Sequence, residues 1–566
     1  LNSGSSLVLG NNNAIGTGTL NVGGAATLDT NASLSVSNAV NLANGATLTL
    51  GGSNALALSG SMTGGGGLVK NGPATTTLTG VNTYTGGTTI TGGTLAIGAG
   101  GSLAATGAVN LANAGAALDL SSATGAQSFG ALSGAAGSIV NLGGNALTLG
   151  GTASGTFSGL IGGAGSLTLA GTGTQTLNGA NVYTGGTNLN SGTLILGNSG
   201  AIGGGALNVS GSATLDTTTS LSVSNAVNLA TGTALTLGGS NNLALAGAIS
   251  GGGGLVKNGT ATTTMSGANT YTGGTTINSG TLALTGTGSI TSSSGVINNG
   301  TLDISGTTSG ATLRNLTGTG TVSLGSQTLT LANAGGTFAG TFTGTGKLLL
   351  QGNGTLIANG NSMSFTGITE VASGLLEVGD INMPSATLGG GVTVDTAGTL
   401  RGHGTVLGDV TNGGTVAPGG SIGTLSVGGN YTQANNATLA IEVSPTAASQ
   451  LKVAGTAALN GTLAVTYDPG TYKATQYTLV SATKGVSGTF SNVASTGTAN
   501  LGTLTPAVSY GGNAVLLTLA SASLADPVVV APTNTSVYTA VGTSVILGAQ
   551  TSNAALLDRL DRASAA

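Results

Sequence analysis

Leucine recurs every six to eight residues early in the chain, at Leu20, Leu28, Leu34, Leu42, Leu48 and Leu56, each flanked by Thr, Ser, Asn or Gly. Thr-Leu-Thr-Leu at 47–50, Thr-Leu-Ala-Ile at 94–97 and Leu-Thr-Leu at 147–149 alternate apolar with polar, the period of a strand buried on one side. Gly-Gly, Asn-Gly and Ser-Gly pairs between them supply turns. Three short strands per turn of roughly 20 residues, stacked at the ~4.8 Å spacing of a sheet, predict an all-β solenoid. The expected form is a right-handed three-sided parallel β-helix of about 25 turns, on the order of 100 Å long. An antiparallel sandwich would use similar strands. Their shortness and even spacing along nearly the whole chain favour the helix.

Self-similarity supports the same reading. Residues 7–97 align without a gap to residues 194–284, with 67 of 91 positions identical. Gly-Gly-Leu-Val-Lys-Asn-Gly stands at 66–72 and again at 253–259, followed by Asn-Thr-Tyr-Thr-Gly-Gly-Thr-Thr-Ile at 82–90 and 269–277. A weaker copy, Asn-Val-Tyr-Thr-Gly-Gly-Thr-Asn-Leu, lies at 181–189. From about Glu370 the texture changes: Glu370, Glu377 and Glu442 are the only glutamates, and aromatic strands such as 464–467 and 477–480 appear. Three regions follow: a duplicated solenoid over 1–369, a more conventionally packed terminal unit over 370–522 that would cap it, and a linker over 523–566. The last contains the one clear helical stretch, 553–562.

Composition narrows the function classes. The 566 residues include 108 glycines and no cysteine, so neither a disulfide framework nor a thiolate metal site is available. Ten basic and 14 acidic side chains give a net charge of −4, spread thinly, with no basic patch for nucleic acid and no cationic face for a membrane. No window reaches the length of an apolar membrane span, and Leu1 to Gly10 lack the regions of a signal peptide, so the chain reads as a mature fragment.

The groups able to do chemistry are few. His403 is the only histidine, so any Ser-His-Asp arrangement needs it as base; no Gly-x-Ser-x-Gly elbow accompanies it, and within Arg-Gly-His-Gly it reads as a turn residue. Residues 1–369 hold only Asp29, Asp119, Asp216 and Asp303 as acids, with Lys70, Lys257, Arg314 and Lys347 as bases. Asp29 and Asp216 occupy equivalent positions in the two modules, as repeated turn residues would. The glycine runs 64–67 and 251–254 are not phosphate loops, since Lys70 and Lys257 precede Asn-Gly where Ser or Thr opening a helix is required. Both lysines read as solvated turn charges that discourage sideways aggregation. Tyr84, Tyr183 and Tyr271 follow the repeat and read as corner packing, with sugar stacking the alternative. No catalytic, cofactor-binding or metal-binding residue is expected, and no cofactor.

The stretch from Gly66 to Leu95, with its copies ending at Leu194 and Leu282, resembles the autotransporter-associated β-strand repeat. Gly398 to Tyr431, with Gly-Thr-Leu-Arg-Gly-His-Gly-Thr-Val and Ala-Pro-Gly-Gly-Ser-Ile-Gly-Thr-Leu, resembles a pertactin-type C-terminal passenger segment, and the likeness continues through Leu439 to Phe490. The resemblance implies type V secretion: a signal sequence, a β-helical passenger exposed at the surface of a Gram-negative bacterium, and an outer-membrane β-barrel translocator as partner, absent from this chain. It implies that 370–522 folds first and templates the rest, and that 523–566 leads toward the barrel. The function expected is a non-catalytic adhesin or a scaffold for self-association and biofilm, with surface glycans, a host surface or identical passengers as partners. A filament or surface-layer protein is the second reading, and an enzyme acting on polysaccharide the third.

Overall fold

Alternation along the chain becomes stacking across it. In the computed structural model, which describes residues 1–521, each short strand pairs in parallel with the equivalent strand one turn later: Thr47–Leu50 with Gly67–Lys70, Leu147–Leu149 with Leu167–Leu169. Alternate residues of every strand therefore point into a shared core, and the chain is an all-β parallel solenoid of about 22 turns, with one short 3-10 turn, Thr498–Leu501, and no α-helix among the described residues. The expected linker and helix over 523–566 lie outside the described residues.

Fewer turns than expected follow from longer ones. Leu48 pairs Leu68, a turn of 20 residues, whereas Leu463 pairs Val493, a turn of 30. Toward the C-terminal end the strands lengthen too. Ile368–Val378 and Gly391–Gly402 each run across a corner, joining two neighbouring faces through a register shift between Val371 and Ser373.

Each turn contributes strands to up to three sheets. One face is a continuous sheet of 16 strands, from Ser6–Leu9 to Leu316–Thr317. A second face is built in succession: a three-stranded sheet ending at Met62–Gly64, a seven-stranded sheet from Gln127–Phe129 to Ile249–Gly251, and a 15-stranded sheet beginning at Ala311–Leu313. The third is interrupted likewise, a seven-stranded sheet ending at Leu160–Gly162 and another running from Leu221–Val223 to Thr341–Thr343 before an eight-stranded sheet takes over. Strands turn antiparallel only at the end, where Ala514–Ser521 lies between Thr475–Ala482 and Leu504–Tyr510.

The core is a set of aliphatic columns, one residue per turn. Leu149, Leu169, Leu189 and Val209 stack in register, all buried. Lys70 stands in such a column, between Leu50 and Ile90, and Lys257 in another, between Leu237 and Ile277. The reading of these lysines as solvated charges is corrected here: they are 1% and 2% exposed. Each falls on the inward phase of its strand. Its aliphatic stem fills the place of a leucine while the ammonium reaches the corner, donating to the carbonyl of Gly72 or Gly259, and for Lys70 also to Gly92 at 3.3 Å. Neither has a carboxylate partner among the described residues.

Where corners stack, backbones nearly touch. Gly320, Gly340 and Gly360 succeed one another turn by turn; a Cβ on Gly340 would lie 1.9 Å from the Gly320 carbonyl oxygen, and one on Gly360 1.8 Å from that of Gly340. Glycine is required there for the approach of the neighbouring turn. Gly340→Ala is expected to destabilise by about 1–3 kcal/mol, the cost of overpacking, whereas Gly144→Ala, which meets nothing within 4 Å, stays within about 0.5 kcal/mol. Urea unfolding of both variants checks this; equal effects would mean that the corners relax freely.

Burial holds the Lys70 and Lys257 ammonium groups below the ordinary lysine value. A lysine whose pKa is depressed by folding penalises the fold while it is charged in both states, and the penalty fades as pH rises through the folded value toward the unfolded one. Replacing both lysines by leucine, the residue that position 169 already carries in the equivalent place, is expected to stabilise the chain at pH 7 by about 1–3 kcal/mol. The gain should shrink near pH 10.5. A loss at pH 7 would show that the carbonyl contacts outweigh the burial.

Candidate functional site

The Asn-x-Tyr-Thr-Gly-Gly loops stand where a strand is missing from a turn. Tyr84, Tyr183 and Tyr271 point inward and are at most 1% exposed, filling the core that strand residues would otherwise fill. Their hydroxyls pair with the inward-facing Thr88, Thr187 and Thr275 at 2.5, 2.5 and 2.6 Å. Burial raises all three phenol pKa values against the opposing effect of these bonds, that of Tyr84 to about 12. No tyrosine ring here is offered to a sugar. What the loops expose is Val81, Val182 and neighbouring threonines. Sequence reasoning passed over the buried Asn82, Asn181 and Asn269, although an asparagine two residues before each tyrosine was the signal.

The same loops open different faces. Leu68 and Leu255, which begin two of the repeat copies, lie on the continuous 16-stranded sheet, but Leu167 lies on the second face. The middle copy is thus turned by one face relative to the others.

The titratable residues are dispersed. Asp29 and Asp216 accept the N–H of Thr30 and Thr217 at 2.7 and 2.6 Å and rest against Gly52 and Gly239. Asp119 accepts from the Ser121 N–H and the Asn141 amide, and Asp303 from the Ser305 N–H. Lys347 pairs with Glu370 at 2.5 Å, and Arg401 reaches one oxygen of Glu377 with Nε and a terminal nitrogen at 3.0 and 2.8 Å. Among the described residues no three His, Asp or Glu side chains converge as metal ligands would.

His403 follows the long strand Gly391–Gly402. Its N–H donates to the Gly379 carbonyl at 2.8 Å and its ring packs against Gly423, with both ring nitrogens buried and unpartnered. It therefore addresses no hydroxyl nucleophile. Nearby Asp380 is held below the usual carboxylate range, first by the Asn359 amide at 2.8 Å, then by the Asn382 and Met383 N–H groups and the charge of His403.

Two surfaces remain that can meet a partner. The first is the outward side of the sheets, where like residues stack. Ser128, Thr148, Thr168, Asn188, Asn208, Asn228 and Ser250 form one row across seven turns. Its asparagine amides hydrogen-bond along the row, Asn208 to Asn188 at 3.0 Å and Asn228 to Asn208 at 2.8 Å, which fixes their orientation. Thr262, Thr281, Thr301, Thr321 and Thr341 form a second row. The other surface is a groove of about 440 Å³ beside the terminal antiparallel strands, lined by Tyr467, Phe490, Val493, Val508 and Tyr510 among others, with the Tyr467 hydroxyl buried and unpartnered.

Comparison with known proteins agrees with the repeat pattern. The passenger-associated-transport-repeat family matches at residues 68–97, 167–196 and 255–284, the three segments that carry the buried Asn, Tyr and Thr. Curated proteins give no match. Among solved structures, the Hap adhesin of Haemophilus influenzae aligns over 91% of this chain at 14% identity and a TM-score of 0.30. The alignment takes in 63% of that protein, so the chain spans less than two thirds of its length. The three repeats, carried on a parallel solenoid, identify the chain as an autotransporter passenger domain.

Proposed function

We propose that this passenger acts at the surface of a Gram-negative bacterium as a non-catalytic adhesin or self-association scaffold. The observation that carries the reading is the pair of uncharged rows. Hydroxyls and amides repeat at strand spacing over five to seven turns, with no charged residue in either row. A partner that is itself repetitive, a surface glycan or a second copy of the passenger, can meet such a row through many weak hydrogen bonds whose sum gives useful avidity. On this reading residues 370–522 serve as the folding cap, and 523–566 lead to an outer-membrane β-barrel translocator. The two long strands that cross a corner and the terminal antiparallel strands support the capping role, since they give the stack a broader nucleus than a single thin turn.

Cells displaying the passenger are expected to adhere to glycan-coated surfaces, or to one another, several-fold better than cells displaying the translocator alone. Replacing Thr301 and Thr321 by aspartate, together with Asn188 and Asn208, should remove most of that gain while leaving the thermal midpoint of the purified chain within a few degrees, because all four sites are on the outer surface. Adhesion and aggregation no better than the translocator alone would sink the reading.

A further inference from the structure

Each repeat copy begins its loop one turn after a sheet ends. The first sheet of the second face stops at Met62–Gly64, that of the third face at Leu160–Gly162, and the next sheet of the second face at Ile249–Gly251. In the following turn, where the next strand would lie, stand Asn82, Asn181 and Asn269.

The asparagine side chain does what the absent strand would have done. The main-chain N–H of Met62 donates to Asn82 Oδ1 at 2.8 Å, that of Ile161 to Asn181 Oδ1 at 2.8 Å, and that of Ile249 to Asn269 Oδ1 at 2.9 Å. The same amide then reaches forward. Nδ2 donates to the carbonyl of Ser102 at 2.7 Å in the first copy, of Ala201 at 2.6 Å in the second and of Ser289 at 3.0 Å in the third. The three side chains are 2%, 5% and 3% exposed. An amide is the one neutral side-chain group that offers a carbonyl acceptor and N–H donors together, as a peptide unit does. A buried N–H left without an acceptor is costly, so the last strand of a sheet needs such a closure.

Spacing points the same way. Turn length varies elsewhere, 19 residues between Thr174 and Thr193 and 23 between Val109 and Leu132. All six spans made by these asparagines, backward and forward, are 20 residues.

We infer that Asn82, Asn181 and Asn269 are positioning residues that splice the solenoid across its interrupted faces. Each stands in for a missing strand's peptide group and fixes the register of the turns before and after it. The middle splice sits on a different face from the other two, so the device depends on the local loop and not on one side of the molecule.

Hydrogen exchange of the purified chain, read residue by residue by mass spectrometry, tests this. In the unaltered chain the Met62, Ile161 and Ile249 amides should be protected like strand interiors. Exchange there as fast as in exposed loops overturns the inference without any variant. In Asn82→Ala, the Met62 amide and the turn over residues 98–108 should exchange roughly tenfold faster or more, while Ile161 and Ile249 keep their rates as internal controls. Asn82→Asp retains the acceptor and should restore protection at Met62 but not over 98–108. Unchanged exchange at Met62 in the alanine variant, or an aspartate variant indistinguishable from it at every site, contradicts the splice.

Discussion

A turn of this solenoid has no structure of its own. Its N–H and C=O groups are satisfied by the turns above and below, so each turn must lie at strand spacing over its neighbour and in register with it. Composition follows from that requirement. Inward positions stack on themselves and take residues that fit a narrow core in repeated copies, chiefly leucine and valine. Corners stack on themselves too, and where one carbonyl comes within reach of the next turn's Cα, as at Gly340 over Gly320, only glycine fits. The 108 glycines are in this respect a property of stacking as much as of turning.

Stacking also explains what was legible in the sequence and what was not. The leucine spacing and period-two strands gave the all-β parallel solenoid, because burial of alternate residues is written directly into the alternation. The duplicated modules were visible for the same reason, and Tyr84, Tyr183 and Tyr271 proved to be packing residues, as their place in the repeat suggested. Lys70 and Lys257 were misplaced, because charge suggested solvent while the strand phase, Gly-Leu-Val-Lys with Leu68 inward, put the lysine inward as well. Phase decided, helped by a stem long enough to carry the charge to a corner. The asparagines escaped notice because their role lies in which sheet stops beneath them, a fact about the stack.

Rotation of the middle repeat has the same origin. Leu68 stacks on Thr88 and Val109, but the turn from Val109 to Leu132 is longer, at 23 residues. Extra residues in such turns displace the later sequence around the axis, so that Leu167 arrives one face early. The repeat then builds the same Tyr–Thr pair on a different side, which shows that its loop is specified locally and that the rest of the turn adapts. Two sides of the solenoid are interrupted in consequence, while the 16-stranded face continues past all three repeats.

Charge is the last thing stacking constrains. Two like charges one strand spacing apart repel by about 0.9 kcal/mol even in water, and more beside a protein surface, so a charged residue repeated in a column is penalised at every turn. The columns comply. Glu377 lies directly beside Arg401 in register, Asp119 beside Asn141, and Asp303 between Ala283 and Ser323. Bringing two carboxylates to bear on one bond would require loops that leave the columns, and in the first 369 residues the acids remain within their turns, bonded to local N–H groups. The surface that stacking favours is neutral and rich in donors and acceptors, with the same contact offered again at every turn. Such a surface gains more from a long repetitive partner than from a small molecule, because each added turn contributes the same small increment.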